Sequence, residues 1–545
     1  MTTSPSEDSG TLQHQVSGAS SAELDPSIPI RGPEHISYEE GPWANKTVLS
    51  FDGGGVRGYS SLLVLKRIMI RIRELERNHE EYRAYSSESY RWNGAPEENI
   101  VEDNPESDRV DRYLPCHYFD YVAGTSTGGL SSIMLGRLRM SVDQALDTYK
   151  SFGNAVFGKP RVFHERSWRY YPRAKFSSRK THGEFQKLIY EALQREKFCF
   201  YSEAEVEPLN LALFGLLMLT NSIAISWSIK KDGGVSKEFV WRSYDNEPSP
   251  KEPNPMEPRA NRWNPSNAGP AHTTAIWEVA RATTAAPGYF ESIKIIGRKF
   301  LDGGMAANNP SLMALREINN LHGLVPDLFV SIGTGLKPSQ DDQNNDVLNI
   351  ANGHTGTPRR DTIRDGGRRK QFVKKWWEIG KNWKDWMVDC EGGPMGTNAW
   401  RDRCDAIQLT DSYRLNVEGD LHTIPLDDWR PSNTGKDSLD FIEEQTRQYL
   451  TETRVVDWIN SIASKAVEIR RQRAATEQWE RFAVDVVYRC TDCENKKYDT
   501  RAQLREHLQK GIAHREDRIA DGKQLEERLN DSRSFKPKRP VETRR

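Results

Sequence analysis

The segment VLSFDGGGVRGYS, Val48 to Ser60, constrains the fold of this chain more than any other feature. A short apolar run ends at Phe51, three consecutive glycines follow it, and an arginine stands two residues beyond them. The apolar run predicts a buried strand, and the amphipathic spacing from Leu62 to Leu75 predicts a helix. A strand, a glycine loop and a helix in succession leave bare backbone N–H groups beside a fixed positive charge. Such donors suit either a phosphate or a developing oxyanion.

Apolar segments alternate between strand-like and helical patterns as far as about residue 345. The predicted strands are Thr47–Phe51, Tyr118–Ala123, Ile293–Leu301 and Asp327–Ile332, and the predicted helices are Leu62–Leu75, Leu130–Met140 and Ile276–Ala285. Strands that alternate with helices predict an α/β domain with a mostly parallel sheet, which we place at residues 46–345. Residues 346–475 are expected to form a linker and a helical region that packs on this domain.

Composition predicts disorder at both ends of the chain. Residues 1–45 are rich in Ser, Pro, Glu and Gly and have no apolar run typical of a signal peptide, and residues 517–545 form a charged tail. A formal net charge of -1 over 545 residues indicates no particular class of partner. The 6 scattered cysteines are typical of a reducing compartment. We therefore expect a cytoplasmic protein, with peripheral membrane contact or a nuclear location as alternatives.

The most apolar stretch, Leu209 to Ile229, has nearly the length of a membrane span. Asparagine, threonine and serine residues interrupt it, and two lysines follow it directly. These polar interruptions favour a buried strand or helix over a transmembrane segment.

The sequence GTSTG, Gly124 to Gly128, matches the nucleophile-elbow pattern G-x-S-x-G. It follows one predicted strand and opens one predicted helix, which is the context that an elbow requires. Ser126 is therefore a candidate nucleophile, flanked by Gly124 and Gly128. The competing interpretation is a glycine-rich turn that carries an ordinary serine.

The glycine loop, Gly53, Gly54 and Gly55, offers consecutive N–H groups without side chains, and Arg57 adds charge nearby. An acyl-transfer reaction needs such preorganised donors for its oxyanion. Residues 53–58 also match G-x-G-x-x-G, so nucleotide binding is a formal alternative. No clear ribose-binding carboxylate follows about 20 residues later, which weakens that alternative.

A serine nucleophile needs a base, and Asp302 is the candidate. It ends a predicted strand in FLDGGMAANNP, directly before Gly303 and Gly304. The alternative is a plain Asp-Gly turn. None of the downstream histidines stands at an obvious strand end with turn glycines, so a Ser-His-Asp triad is unsupported. These histidines are His164, His182, His272, His322, His354 and His422.

Four segments in this order, DGGGVRG, GTSTGG, ATTAAPGYF and DGGMAANNP, resemble patatin-like phospholipases over about residues 46–335. The resemblance implies a three-layer α/β/α fold and a Ser–Asp dyad, with Ser126 as nucleophile and Asp302 as base. It also implies that the glycine loop forms the oxyanion hole, supported by Arg57, and that no calcium is required. The segment YRLNV, Tyr413 to Val417, resembles one that ends many such domains.

The implied base raises a physical problem, because a free aspartate has a pKa of about 3.9. Burial in apolar surroundings raises the pKa of a carboxyl group. We therefore expect Asp302 to be screened from water.

An aromatic stripe at helical spacing follows the linker and is flanked by lysines. Its members are Phe372, Trp376, Ile379, Trp383 and Trp386. Packed core is the favoured interpretation, and contact with a membrane surface is the alternative.

Residues 484–516 resemble a C2H2 zinc finger through Cys490, Cys493, His507 and His514. Thiolates and imidazoles suit a structural, tetrahedral zinc ion. The match is imperfect, because six residues separate the two histidines instead of three to five. An unligated helical hairpin is the alternative. A single finger makes a small interface, so a protein partner is favoured over nucleic acid.

The resemblance to patatin-like phospholipases, together with these patterns, implies a lipid acyl hydrolase of phospholipase A type. Its substrate would be a phospholipid or acylglycerol, reached by transient contact with a membrane surface. The alternative is an interaction or immune-type adaptor whose patatin fold turns over little or no substrate. A zinc-finger protein that binds nucleic acid is the third, less favoured hypothesis.

Overall fold

A computed structural model describes most of the chain between residues 41 and 535. The described ranges are 41–78, 108–161, 174–195, 221–229, 237–246, 267, 274–336 and 390–535, with short gaps at 45, 245, 296, 392–395, 477, 485, 491, 494–495, 499, 512–513 and 515–522. The aromatic stripe, residues 337–368 and residues 209–220 lie outside these ranges.

An eight-stranded sheet forms the centre of the molecule, with β4 paired to β3 and the other strands in the order β5-β6-β3-β2-β1-β7-β8. Its strands are β1 Thr47–Phe51, β2 Tyr121–Thr125, β3 Asn221–Ile229, β4 Lys237–Arg242, β5 Ile293–Ile295, β6 Arg298–Asp302, β7 Leu328–Ile332 and β8 Ser412–Leu415. Neighbours from β3 to β8 along this order are parallel, whereas β4, β5 and β6 pair antiparallel.

Twelve α-helices occur in the described part of the chain. They are α1 Gly58–Arg77, α2 Thr127–Ser132, α3 Val142–Val156, α4 Ser178–Arg195, α5 Ile276–Thr283, α6 Ser311–His322, α7 Thr397–Ala406, α8 Lys436–Tyr449, α9 Thr453–Ala474, α10 Gln478–Val484, α11 Arg501–Lys510 and α12 Lys523–Asp531. A π-helical turn, Ile133–Arg137, continues α2. No helix of the described ranges is both long enough and apolar enough to cross a membrane.

The two faces of the sheet carry separate hydrophobic layers, because successive strand residues point to opposite sides. Leu49 and Phe51 of β1 pack in one core with α1, α3, α8 and α9. Val48 of the same strand packs in the other core with α6 and α7. This arrangement confirms the expected α/β/α fold with a mostly parallel sheet.

Three strand assignments from the sequence need adjustment. The strand predicted at Tyr118–Ala123 is β2, which begins at Tyr121 and ends at Thr125. The strand-like segment Ile293–Leu301 is a hairpin of β5 and β6, which turns at Gly297 with a φ of +68°. The apolar stretch ends in a sheet strand, since Asn221–Ile229 forms β3 between β2 on one edge and β4 on the other.

The C-terminal region is joined to the α/β layers by buried ion pairs. Arg473 of α9 donates to both oxygens of Asp120, at 2.8 and 2.7 Å. Arg470 of the same helix binds Glu76 of α1, and each side chain of this pair is 1% exposed. Strand β8 extends the central sheet beside β7.

A small module follows α9 and contains the cysteine–histidine cluster. Its three strands, β9 Val486–Cys490, β10 Lys496–Tyr498 and β11 Arg533–Phe535, pair antiparallel in the order β10-β9-β11. A core of its own, built around Trp479 and Leu504, packs beneath them. We call residues 478–535 the finger module.

Both terminal segments differ from the expected disorder where the structure describes them. Trp43 is 5% exposed, and its indole nitrogen donates to Thr476 at 2.8 Å. Within the expected tail, α12 places Leu525 and Leu529 on one face, where both are buried in the core of the finger module. The polar composition of both segments predicts disorder. A few buried apolar side chains are nevertheless enough to order them.

Candidate active site

Two strand ends meet at the middle of β3, and this junction positions the candidate dyad. The first half of β3 pairs with β2, up to the Thr125–Ile225 pair. The second half pairs antiparallel with β6, from the Asp302–Ser226 pair onward. Since β4 covers the opposite edge of β3, β2 and β6 lie on one edge and run toward each other. Ser126 directly follows β2 and Asp302 ends β6, so the topology brings the two side chains together.

Ser126 is held in a sharp turn between β2 and α2. Its φ of 55° lies in the left-handed region, which residues other than glycine rarely adopt. A Cβ at Gly124 would lie 1.9 Å from the carbonyl oxygen of Gly128, so the turn requires glycine there. The N–H of Ser126 donates to Thr283 Oγ1 at 3.0 Å, which fixes the turn against α5. Such backbone strain is typical of functional sites.

Ser126 and Asp302 form a direct hydrogen bond. Ser126 Oγ donates to Asp302 Oδ2 at 2.7 Å, and Asp302 Oδ1 accepts from the N–H of Gly304 at 2.8 Å. The Asp302 side chain is fully buried. Burial raises the pKa of Asp302 from 3.8 to about 7, although the two hydrogen bonds oppose this rise. A carboxylate with this pKa is a competent base near neutral pH.

The glycine loop passes close to Ser126, but its three N–H groups are not equivalent. The N–H of Gly53 donates to the carbonyl oxygen of Asn308 at 3.0 Å, so it is unavailable to an oxyanion. Within the described ranges, no acceptor binds the N–H groups of Gly54 and Gly55, and both residues line the cavity that contains Ser126. Of the three N–H groups that the sequence analysis expects in an oxyanion hole, Gly53 is therefore already engaged, and Gly54 and Gly55 are not.

Gly55 needs its missing side chain for two reasons. Its φ of +56° is left-handed, and a Cβ there would lie 2.0 Å from the carbonyl oxygen of Leu426. Its own carbonyl oxygen accepts from Tyr149 Oη, and the next N–H, of Val56, donates to Leu426 at 2.8 Å. These bonds hold the loop from both sides.

Arg57 is buried beneath the glycine loop and is only 3% exposed. Its Nη1 donates to the carbonyl oxygen of His422 at 3.2 Å, and its Nε lies 3.4 Å from the carbonyl oxygen of Gly54. Burial lowers the pKa of this guanidinium. Arg57 thus contacts the backbone of the glycine loop at Gly54.

A buried ion pair anchors the start of the glycine loop and was missed at the sequence level. Arg414 of β8 donates Nη1 to Asp52 Oδ1 at 3.0 Å and Nη2 to Asp52 Oδ2 at 2.5 Å. Arg414 also reaches Glu391 at 2.9 Å. Asp52 directly precedes Gly53, and β8 lies 360 residues later in the chain. The YRLNV resemblance marked this segment without indicating what its arginine contacts.

A cavity, which we call the active-site cavity, opens above Ser126 and Asp302. Besides Ser126 and Asp302, its walls are mainly aromatic and aliphatic side chains, including Phe152, Phe157, Tyr289, Phe290 and Leu426. Two of these aromatic residues belong to the segment ATTAAPGYF. An apolar cavity around a nucleophile and a base suits an ester with a hydrocarbon substituent.

The histidines that the structure describes serve other contacts. His182 stacks on Trp277, His322 bonds Tyr121 at 2.6 Å, and Nδ1 of His422 lies 2.8 Å from the carbonyl oxygen of Gly419. In the described ranges, no histidine lines the active-site cavity. His164, His272 and His354 lie outside those ranges.

The finger module brings four potential metal ligands together. One atom each from Cys490, Cys493, His507 and His514 lies within 4.8 Å of every other. His514 Nε2 is 3.3 Å from Cys490 Sγ, 3.4 Å from Cys493 Sγ and 3.0 Å from His507 Nε2. These separations fit the edges of a tetrahedron with zinc–ligand bonds of about 2.0–2.3 Å. The long histidine spacing is accommodated because α11 ends before His514, which follows a turn at Gly511.

Comparison with known proteins assigns the α/β layers. The model of the patatin-like phospholipase family matches residues 49–315. Calcium-independent phospholipase A2-gamma of Oryctolagus cuniculus is 26% identical over 266 residues, which are 46% of this chain and 29% of that protein. Phospholipase A I of Arabidopsis thaliana is 24% identical over 335 residues, 56% of this chain and 22% of that protein.

The match to a rice protein covers a larger share of that protein. Patatin-like protein 1 of Oryza sativa subsp. indica is 22% identical over 329 residues, 55% of this chain and 61% of that protein. The matched part of the chain thus spans under a third of the phospholipase A2 relatives and under two thirds of the plant protein. The residues matched by the family model include the glycine loop, Ser126 and Asp302. This chain is therefore similar to patatin-like phospholipases over residues 49–315.

Proposed function

We propose that this protein is a lipid acyl hydrolase of phospholipase A type. It would cleave fatty acyl esters of phospholipids or acylglycerols through Ser126 and Asp302. The observation that carries the proposal is the 2.7 Å hydrogen bond from Ser126 Oγ to a fully buried carboxyl group. The names of the phospholipase relatives support the same reaction class.

The proposed reaction begins with attack of Ser126 Oγ on the ester carbonyl while Asp302 accepts the hydroxyl proton. The carbonyl oxygen gains negative charge and accepts hydrogen bonds from the N–H groups of Gly54 and Gly55. Collapse expels the alcohol of the lyso-lipid, which takes the proton from Asp302, and leaves an acyl-enzyme on Ser126. Water, deprotonated by Asp302, then hydrolyses this acyl-enzyme and releases the fatty acid.

Electrostatics at the site support this division of roles. Before the reaction, burial makes the ionised form of Asp302 costly. The carboxylate therefore has a higher affinity for the proton of the serine hydroxyl. A bound acyl chain would exclude further water and deepen this effect. Base and oxyanion donors come from the chain itself, so calcium has no assigned role in the proposed mechanism.

We further propose that the finger module holds one structural zinc ion through Cys490, Cys493, His507 and His514. The donor set of two thiols and two imidazoles suits zinc, and Cys490 and Cys493 are not joined in a disulfide. The bound ion would supply stability to a small module, not chemistry to the dyad. Recruitment of a protein partner by the exposed side of the module is the role that we assign to it.

The hydrolase proposal is tested with mixed phospholipid micelles in calcium-free buffer. Release of fatty acid by the purified protein should be lost in Ser126→Ala and retained in Ser131→Ala. Ser131 is the matched control, since it is a buried serine one turn further along α2. Equal release by the parent and Ser126→Ala would refute the dyad. No release by a folded parent would favour the adaptor hypothesis.

A further inference from the structure

We propose that Asn308 binds the water molecule that hydrolyses the acyl-enzyme. This inference rests on the proposed hydrolase function and adds a third side chain to Ser126 and Asp302. Asn308 is 5% exposed and lines the active-site cavity together with both of them. Its side-chain oxygen, Oδ1, is buried and has no hydrogen-bond partner among the residues that the structure describes. Since a buried acceptor without a partner costs free energy, this oxygen calls for a donor that arrives during the reaction.

The backbone of Asn308 is fixed between the nucleophile elbow and the glycine loop. Thr125, which directly precedes Ser126, donates its hydroxyl to the carbonyl oxygen of Ala307 at 2.8 Å. The carbonyl oxygen of Asn308 accepts from the N–H of Gly53 at 3.0 Å. A Cβ at Gly53 would lie 2.3 Å from Asn308 Oδ1 and 3.1 Å from Ser126 Cβ, so both atoms border the same small space. The side-chain oxygen of Asn308 therefore lies next to the nucleophile.

Cys390 determines which end of the Asn308 amide faces this space. Asn308 Nδ2 lies 2.9 Å from Cys390 Sγ, and the same thiol hydrogen-bonds the carboxylate of Asp52. Burial raises the pKa of the thiol well above its usual range, so the sulfur keeps its proton and the S–H donates to Asp52. The sulfur can then only accept from Asn308, which turns its NH2 group toward Cys390 and its oxygen toward Ser126. Arg414 in turn holds Asp52 through two hydrogen bonds.

A water molecule is the donor that matches this acceptor. An ester group carries no O–H or N–H, so neither the phospholipid ester nor the acylated Ser126 can donate to Oδ1 at the reacting carbon. The attacking water has two O–H groups and a lone pair. One O–H can donate to Asp302 and the other to Asn308 Oδ1, while the lone pair faces the acyl carbon. Two fixed acceptors thus set both the position and the orientation of the nucleophile, which favours attack.

During deacylation, the water oxygen forms a bond to the acyl carbon and gives one proton to Asp302. The O–H that Asn308 binds stays intact and becomes the hydroxyl group of the fatty acid. Collapse breaks the bond between the acyl carbon and Ser126 Oγ, and Oγ takes the proton back from Asp302. Acylation needs no such acceptor, because the ester oxygen of the leaving alcohol bears no hydrogen before its bond breaks. Asn308 should therefore govern deacylation and leave acylation nearly unchanged.

The test measures the two half-reactions separately with 4-nitrophenyl butyrate. Stopped-flow absorbance gives the burst of 4-nitrophenol, and intact mass spectrometry gives the fraction of the chain that carries a butyryl group. Asn308→Leu keeps the approximate shape of the side chain and removes its hydrogen-bonding groups. Its steady-state rate should fall at least about tenfold, its burst rate should change by less than about threefold, and butyryl-enzyme should accumulate. A burst that slows as much as the steady state would overturn the proposal.

Methanol provides a measurement that a merely structural role would not change. Its single O–H can donate to Asp302 or to Asn308, but not to both. The parent should therefore prefer water to methanol as the acyl acceptor, and Asn308→Leu should lose at least about threefold of this preference. Gas chromatography measures the ratio of methyl butyrate to butyrate. An unchanged ratio in folded Asn308→Leu would contradict the assigned role.

Asn309→Leu is the matched control for both measurements. Asn309 is a buried neighbour whose amide donates to Thr397 and accepts from the N–H of Ser311. It does not line the active-site cavity. The variant should keep the ratio of burst rate to steady-state rate and the product ratio of the parent, whatever its effect on stability. Thermal melting of each variant checks that it is folded.

A second variant, Cys390→Ala, protects the test against a folding failure of Asn308→Leu. Because it lets the Asn308 amide rotate, it should slow deacylation by at least about threefold, and Cys390→Ser should restore part of the rate. A parent that forms butyryl-enzyme, with variants at both positions that deacylate at its rate, would overturn the role of Asn308 and leave the hydrolase intact. A folded parent that releases no 4-nitrophenol would overturn both.

Discussion

The active site and the finger module both gather reactive side chains into a buried cluster, but they are stabilised in different ways. The dyad stands on an eight-stranded sheet between two hydrophobic layers. The cysteine–histidine cluster stands on a three-stranded sheet with a much smaller hydrophobic core, to which Trp43 and Ala474 contribute from outside the module. Because the α/β domain is large, its site can bear an energetic cost. The small finger module must instead gain stability through the metal-ligating side chains of its cluster.

The large domain bears two costs at the dyad. Ser126 has a left-handed backbone, and Asp302 is buried without a cationic partner among the residues that bond it. Each cost is on the order of 1–3 kcal/mol, which an extensive core can offset. The finger module cannot do so, because small domains bury too little apolar surface. The comparison predicts that loss of a functional side chain destabilises the finger module but does not destabilise the α/β domain.

The largest expected effect is that of removing a ligand of the proposed zinc ion from the finger module. Cys493→Ser should abolish binding of one zinc ion per chain and open residues 484–535 to limited proteolysis. Structural zinc sites contribute about 10–16 kcal/mol of apparent binding free energy, so the module should not survive its loss. Metal content by atomic emission and proteolysis mapped by mass spectrometry measure the two outcomes.

The matched control for that experiment is Cys404→Ser, which alters a buried cysteine of α7 outside the cluster. It should retain the zinc ion and the protease resistance of the module. Ester hydrolysis in Cys493→Ser should stay within about threefold of the parent, since the module opens locally. Loss of both zinc and hydrolysis would show that the two regions are one cooperative unit, contrary to the comparison.

Removal of the proposed base, Asp302, is expected to have the next largest effect. In contrast to loss of a zinc ligand, it should lower activity without lowering stability. Asp302→Asn should lower kcat/KM for an ester by about 10⁴-fold, as loss of a catalytic carboxylate does elsewhere. Its melting temperature should equal or exceed that of the parent, because a neutral amide avoids the desolvation cost of the carboxylate. Steady-state kinetics and calorimetry on the same sample test both parts. A variant that is both inactive and strongly destabilised would contradict the assigned cost.

The anchor of the glycine loop should show an intermediate effect. Arg414→Met leaves the Asp52 carboxyl buried without its bidentate partner, which should cost about 3–5 kcal/mol of unfolding free energy. The double variant Asp52→Asn/Arg414→Met should recover part of this loss. Urea denaturation measures the stability, and Arg447→Met, which removes an arginine that is 68% exposed, is the control and should cost under about 0.5 kcal/mol. Equal losses of unfolding free energy in Arg414→Met and Arg447→Met would rule out a special role for Arg414.

The smallest effect is a pH dependence set by Asp302, whose pKa is raised to about 7. Because the base must be ionised, kcat/KM should fall about tenfold for each pH unit below 7. Stability should change in the other direction. The folded state holds the proton more tightly than the unfolded chain, so unfolding free energy should decrease as pH rises from about 4 to about 7. Asp302→Asn should lack this decrease, and an unchanged pH slope in that variant would refute the assignment.

Much of the α/β domain could be predicted from local pattern. Thr47–Phe51 is a strand with the expected bounds, because a short apolar run between polar residues leaves few alternatives. The predicted helix Leu62–Leu75 lies within α1, Gly58–Arg77. The hairpin of β5 and β6 was missed, since its two short strands carry one continuous β-like pattern and the turn glycine gives a weak signal.

The candidate site was only partly predictable. GTSTG and DGG marked Ser126 and Asp302, because a sharp turn and a closely packed strand end both require glycine beside the functional residue. The engagement of Gly53 by Asn308 and of Asp52 by Arg414 left no local signal. Both depend on contacts between segments more than 250 residues apart, which no spacing rule reports.

The sequence by itself determined the chemistry available to this protein: a serine on an elbow, an aspartate at a strand end, a glycine loop, and two thiols with two imidazoles. These groups follow from residue type and short spacing, which local backbone geometry enforces. Only the tertiary structure decided which groups meet. Strands β2 and β6 place Ser126 beside Asp302 because both end at the middle of β3. The pKa of Asp302 is likewise a tertiary property, since it arises from burial by chain segments far away in the sequence.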